Sequence, residues 1–283
     1  MSGMVTVGIV SPGHMGAGLG GALRAGGARV VATTAGRSER TRRLAAGLEL
    51  LAGLDEVIAV ADVVLSVTPP AQALDAARSI AEAARRTGAT PVVADLNAVS
   101  PPAMARIAEV CAGLPVVDGS ISGPPPSVRP GARIYLSGPP AAGVAALPWA
   151  GRVEPVVLSG GLGAASALKM CTASVYKGLN ALVTQAMRTA GRHGVLDQVL
   201  ADLARNDLDG SAGVVVAATK AHRFADEMRE IAATQADAGL TSALFEAFAA
   251  IYADIAGTEL AAADPEAAER RLAPAEIVRR LSR

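Results

Sequence analysis

Lysine is scarce in this chain: of 26 lysines and arginines only three are lysines, Lys169, Lys177 and Lys220. Two of them fall close together in the small-residue and apolar stretch Gly160–Gly178. Arginine keeps its proton at any pH a protein meets, whereas a desolvated lysine amine can release one near neutrality. Lys169 is therefore a candidate acid/base group. The competing reading is a lysine stem that snorkels along an amphipathic helix. At helical spacing Lys169, Thr172, Tyr176 and Asn180 lie on one stripe. Two hydroxyls and an amide could then orient the amine or hold a polar substrate, although a buried helix–helix or subunit contact would line up the same residues. Lys177 lies about 80° round the helix and, if it faced Lys169, would help that amine lose its proton.

A second chemical signal opens the chain. Gly8-Ile9-Val10-Ser11-Pro12-Gly13-His14-Met15-Gly16 stands where a first strand meets a first helix, the context a dinucleotide fingerprint requires. Gly13 would let the backbone approach a pyrophosphate and Gly16 would let helix and strand pack closely. The helix N-terminus would offer free N–H groups and the positive dipole end. Ser11 takes the place of the first fingerprint glycine, and Pro12 removes one donor. The loop Ser11 to Gly16 is assigned to a cofactor, with the His14 side chain facing solvent; a glycine-rich turn without ligand is the alternative. No acid closes the second strand to hold a ribose hydroxyl. Arg37 and Ser38 stand there instead, with Arg40, Arg42 and Arg43 close by. Guanidinium groups suit a 2′-phosphate, so NADP(H) is the expected cofactor, with NAD(H) the lesser one. A solvated helix start would look the same.

These residues need a scaffold, and the hydrophobic pattern predicts one. Strands are expected at Val5–Val10, Arg29–Thr33, Leu48–Leu51, Val63–Val67, Val92–Asp95, Val116–Ile121, Arg133–Leu136 and Val156–Leu158. Helices are expected at Met15–Ala25, Ser38–Ala46, Ala71–Arg86 and Pro102–Ala112. The alternation implies an α/β fold, a doubly wound and mainly parallel Rossmann sheet. After Ser159 prolines almost vanish and the pattern becomes helical. Two domains are expected, residues 1–160 for the nucleotide and an all-helical 161–283 for substrate and dimerisation.

Composition narrows the partners. A net charge of zero and 2% aromatic residues argue against nucleic acid or an anionic membrane surface. No apolar run reaches the roughly 18–20 residues of a membrane span, and Met1–Gly8 has no secretion-signal pattern. Cys111 and Cys171 read as free thiols of a cytoplasmic protein. No metal is expected. The five arginines of 270–283 read as a solvated helix face, with a partner contact as the lesser alternative.

In order along the chain, four stretches resemble the β-hydroxyacid dehydrogenases, relatives of 6-phosphogluconate dehydrogenase. They are Gly8–Gly16, Asp95-Leu96-Asn97-Ala98-Val99-Ser100-Pro101, Asp118-Gly119-Ser120-Ile121-Ser122-Gly123-Pro124, and Gly163-Ala164-Ala165-Ser166-Ala167-Leu168-Lys169. Met228-Arg229-Glu230 is similar to a further pair near the nicotinamide. Pro124 replaces a family glycine, and Ala173 stands where the family often has asparagine. The resemblance implies a hydride transfer between nicotinamide and a small β-hydroxy acid, or its aldehyde or keto acid, with Lys169 as general acid/base. It implies Ser122, Gly123 and Asn97 at the substrate; the helical stripe, not the resemblance, adds Thr172 and Tyr176. The resemblance implies Thr68, Pro69, Asn97 and Arg229 at the cofactor, and a homodimer or dimer of dimers. Where Ser122 and Asn97 are only strand-end turn residues, those two assignments fall. An imine reductase-like enzyme, usually with aspartate or tyrosine at the lysine position, and a non-catalytic NADP-binding scaffold are the alternatives.

Overall fold

The computed structural model describes residues 4–208, 210–262 and 272–282. Met1–Gly3, and Arg270, Arg271 and Arg283 of the arginine-rich tail, lie outside the described residues. By its contacts the chain divides into two compact units, Met1–Lys169 and Met170–Arg283.

The first unit is built on β1 (Thr6–Val10), α1 (His14–Ala25), β2 (Arg29–Ala32), α2 (Glu39–Leu44), β3 (Glu49–Leu50), α3 (Leu54–Val60), β4 (Val63–Ser66), α4 (Ala73–Thr87), β5 (Val92–Asp95), α5 (Pro101–Val110), β6 (Val116–Ser122), β7 (Ala132–Ser137), α6 (Ala141–Ala145) and β8 (Val153–Val157). Among the described residues the strands form one sheet in the order β3-β2-β1-β4-β5-β6-β7-β8. All neighbours run parallel except β6 and β7. The order reverses at β1, so the crevice beyond the carboxyl ends of β1 and β4 is the switch point of a doubly wound sheet.

Alternation sorts the strands onto two cores. Val7, Ile9 and Leu65 pack with Leu19 and Leu23 on one face, and Val10, Val64 and Val93 pack with Ile58, Ile80 and Ile107 on the other. Local chemistry sets the helix ends. Ser38 and Ser100 cap α2 and α5 by accepting from Thr41 N and Ala103 N, each at 3.3 Å. Gly88 ends α4 in the left-handed conformation at φ 72°.

Two short helices, α3 and α6, escape the sequence pattern. In seven residues α3 makes too few turns for a period to stand out, and Val57, Ile58 and Val60 read as strand formers. It matters because Gly8 exists for it: a β-carbon on Gly8 would lie 2.8 Å from Val57 Cγ1 and 3.3 Å from Ala61.

The second unit continues α7 (Ala164–Arg192) with α8 (Leu196–Ala204), α9 (Ser211–Ala218), α10 (Ala221–Asp237), α11 (Ala243–Ala256) and α12 (Pro274–Leu281). Gly178 lets α11 approach, since a β-carbon there would lie 3.1 Å from Phe248. Arg279 and Arg280 pair with Glu276 and Glu259, Arg279 and Glu259 exposed and Arg280 and Glu276 half-buried. No helix among the described residues is long and apolar enough to cross a membrane.

Gly8→Ala is expected to destabilise the first unit by about 1–3 kcal/mol through overpacking against Val57, and Gly8→Ala with Val57→Ala to recover part of that loss. Urea unfolding of both variants checks it.

Candidate active site

The turn after β1 has the geometry its glycines suggest. Ser11 adopts φ 65°, the left-handed region that glycine normally fills, at a cost of about 1–2 kcal/mol. Gly16 has no room for a side chain: its β-carbon would lie 2.7 Å from the Ser11 carbonyl oxygen. A β-carbon on Gly13 would meet nothing within 4 Å. Gly13 caps α1 without a side chain, and the first turn of that helix holds no acid. The loop is thus tight where helix meets strand and open where a phosphate would approach, which fits a dinucleotide. Pro12 is buried and His14 half-buried, and Met15 packs against the core. At the end of β2, Arg37 is half-buried and Ser38 exposed, its hydroxyl engaged in the α2 cap.

Beyond β4 and β5 lies a buried polar knot. Asn97 Nδ2 donates to Asp95 Oδ2 at 2.7 Å and to Ser66 Oγ at 3.1 Å, while Asn97 Oδ1 accepts from Thr68 N at 2.5 Å. The Asn97 backbone N–H donates to Asp95 Oδ1 at 3.1 Å. Both amide hydrogens are spent and Asn97 is 2% exposed, so it clamps the two loops together and has one lone pair left to offer. Thr68 Oγ1 is buried without a hydrogen-bond partner among the described residues, and Pro69 beside it is exposed. Burial pushes the Asp95 carboxyl up to about 7; hydrogen bonds from Asn97 pull it down, and the nearby Asp118 charge pushes it up again.

Asp118 stands next to Asp95 in register on β6 and is fully buried. Its Oδ2 accepts from the N–H groups of Gly163 (3.0 Å), Ala165 (2.9 Å) and Ser166 (3.1 Å) and from the Ser137 hydroxyl (2.9 Å). Its Oδ1 accepts from the Ser166 hydroxyl at 2.7 Å. The start of α7 has no capping side chain of its own at Gly163, so a strand residue supplies the cap. From that anchored first turn Lys169 reaches back, and its Nζ donates to the Ile121 carbonyl at 2.7 Å. Ile121 adjoins Ser122, which is exposed at the end of β6, and Gly123 follows at φ 114°. The lysine and the Ser-Gly turn therefore come together, one peptide apart. Asp118 carried no sign of this role in the sequence, because a cap supplied from 45 residues away leaves no local pattern.

Other candidates lie in the second unit. Thr172 and Tyr176 are exposed on α7, Tyr176 at 72%. Asn180 is half-buried, close enough to α9 that a β-carbon on Gly213 would collide with it. Lys177 does not assist Lys169 as a free cation. It pairs with the buried Glu227, lies 4.5 Å over the Phe224 ring, and its carbonyl accepts from Tyr252 Oη at 2.7 Å. It is a packing residue of α7, α10 and α11. Arg229 makes an exposed pair with Asp226 on its own helix.

A family model described as the NAD binding domain of 6-phosphogluconate dehydrogenase matches residues 6–149. A second, described as a domain of unknown function (DUF1932), matches residues 190–255. No curated protein matches this chain in sequence. Among solved structures, the conserved protein MTH1747 of unknown function, itself structurally similar to 3-hydroxyacid dehydrogenases, is 26% identical over 89% of this chain and 97% of its own, with a TM-score of 0.67. A conserved hypothetical protein from Sinorhizobium meliloti is 26% identical over 99% and 98%, with a TM-score of 0.66. The 3-hydroxyisobutyrate dehydrogenase of Mycobacterium tuberculosis shares the fold at 19% identity over 94% and 98%, with a TM-score of 0.70.

The raised Asp95 has a consequence for stability. Its folded-state pKa lies above the unfolded value, so the folded state binds the extra proton between about pH 4 and 7 and loses stability as pH rises through that window. Asp95→Asn is expected to gain on the native chain by up to about 1.4 kcal/mol per pH unit there and to hold a constant difference above it. Denaturant unfolding of both proteins from pH 5 to 8 checks the slope.

Proposed function

Because this chain belongs to the family of the 6-phosphogluconate dehydrogenase NAD-binding domain, we propose that it is an NADP-dependent oxidoreductase. Its substrate is a small β-hydroxy acid or the matching aldehyde or keto acid, and Lys169 is the proton partner. The observation that carries this reading is the Lys169 amine held 2.7 Å from the Ile121 carbonyl, beside Ser122 and Gly123. A nicotinamide cofactor, when bound, supplies or takes up the hydride. The residues to hold it are the Ser11–Gly16 turn and the α1 N-terminus, with Arg37 and Ser38 toward the 2′-phosphate and the Thr68-Pro69 loop beyond β4.

The chain's own chemistry is the proton. During reduction of a carbonyl, hydride adds to carbon and negative charge grows on oxygen; the Lys169 ammonium donates a proton to that oxygen and a hydroxyl results. In the oxidising direction the neutral amine takes the hydroxyl proton as hydride leaves carbon. Ser122 and the Gly123 backbone, at the exposed end of β6, are the groups to bind a substrate carboxylate. Asn97 acts behind them by fixing the loops.

Lys169→Met is expected to lower turnover about 10²- to 10⁴-fold on any hydroxy acid or aldehyde that the native chain converts, with NADPH affinity kept within about twofold. NADPH fluorescence follows both, and a variant retaining most of its turnover would remove Lys169 from its role. NADPH is also expected to bind tighter than NADH, with Arg37→Ala weakening NADPH about tenfold or more and leaving NADH unchanged. Equal affinities of the native chain for the two cofactors would overturn the NADP assignment.

A further inference from the structure

Side chains alternate along β6, so Asp118, Ser120 and Ser122 share one face, and Asp118 meets the start of α7 from it. The same strand then receives Lys169 at Ile121. The strand therefore grips the helix twice, first by its N-terminal amides and then by its lysine. A helix N-terminus carries the positive end of the peptide dipoles, equivalent to about half a charge. Helical side chains lean toward the N-terminus, so the Lys169 stem runs back over that positive end. The dipole opposes the protonated amine; the Asp118 carboxylate, at the same end, favours it.

We propose that Asp118 is the positioning residue for Lys169, fixing where the amine sits and how firmly it holds its proton. The proposal rests on the reading of Lys169 as proton partner and deepens it. Among the described residues, Asp118 from β6 and the uncharged Ser137 from β7 bond to this end, with Ser166 and Lys169 from α7 itself, and Asp95 of β5 lies beside Asp118 in register. Asp118 alone among them touches the helix amides with a charge. Its neighbour Asp95 is the one other carboxylate of this row, and it is held back from ionising by burial and by the Asp118 charge.

The scarcity of lysine makes the test direct. Reductive methylation with ¹³C-formaldehyde labels the α-amine and the lysines, and Lys169→Arg assigns the Lys169 resonance, whose midpoint is then read from a pH titration. Asp118→Asn keeps an accepting oxygen and removes the charge; it is expected to lower the Lys169 midpoint by about one pH unit. Asp118→Asn with Ala164→Asp, which returns a carboxylate on the first turn of α7, is expected to recover about half of the shift, with Lys177 and Lys220 unmoved throughout. A Lys169 midpoint within about 0.2 unit of native in folded Asp118→Asn would overturn the proposal. Should Asp118→Asn not fold, Ala164→Asp alone decides: a rise of about half a unit is expected, and no rise overturns it. The titration uses neither cofactor nor substrate, so failure of the hydride-transfer reading would show separately, as turnover surviving Lys169→Met.

Discussion

A buried carboxylate has to be satisfied from every side, and the start of a helix presents several N–H groups that need acceptors. Asp118 and α7 answer each other. Four of the five bonds reaching its two oxygens come from Gly163, Ala165 and Ser166, and the fifth from Ser137. Bonds to a charged acceptor are each worth about 1.5–3 kcal/mol, so this junction fixes where the sheet ends and the long helix begins. Everything that depends on the first turn of α7 follows from it, the place of the Lys169 amine above all.

The sheet meets that junction with a transverse polar row. Register sets Ser66, Asp95, Asp118 and Ser137 side by side on four neighbouring strands. Such a row is costly at the edge of an apolar core, and the cost surfaces in the raised Asp95 carboxyl; close by, the hydroxyls of Thr68 and Ser120 are buried without a hydrogen-bond partner among the described residues. The strained Ser11 stands at the carboxyl end of β1. Local rules are broken together along the edge where a doubly wound sheet takes its ligand, as expected of a functional site.

Two helix N-termini at this edge are treated in opposite ways. The one at α7 is filled by the protein's own carboxylate. The one at α1 begins on a bare glycine, has no acid in its first turn, and opens to free space at Gly13. A helix start already neutralised from within positions a side chain, and one left without a cap suits an anion. In the second unit, Lys177 shows how a buried lysine is otherwise managed: Glu227 neutralises it and Phe224 and Tyr252 pack round it.

Much of this was legible in the residues alone. Strand periodicity, the glycine turn and the change to helical composition after Ser159 are local signals, written within a few residues of where they act. They determined the alternating α/β order, the switch to helices and the candidacy of Gly13; the scarcity of lysine marked Lys169, and the family resemblance marked Ser122. Short α3 and α6 were not legible because five to seven residues carry no period. The direction of Lys177 was not legible, because the partner that claims it, Glu227, lies on another helix fifty residues on. Asn97 read as a substrate contact, and only the folded chain shows its amide committed to Asp95, Ser66 and Thr68. Above all, the cap of α7 is a strand residue far off in sequence, so nothing near Gly163 announces it. Sequence determines what a residue can do within a turn or two of chain; which charge meets which helix end is decided when the sheet brings distant segments together, because buried polar groups take the partners that packing leaves within reach.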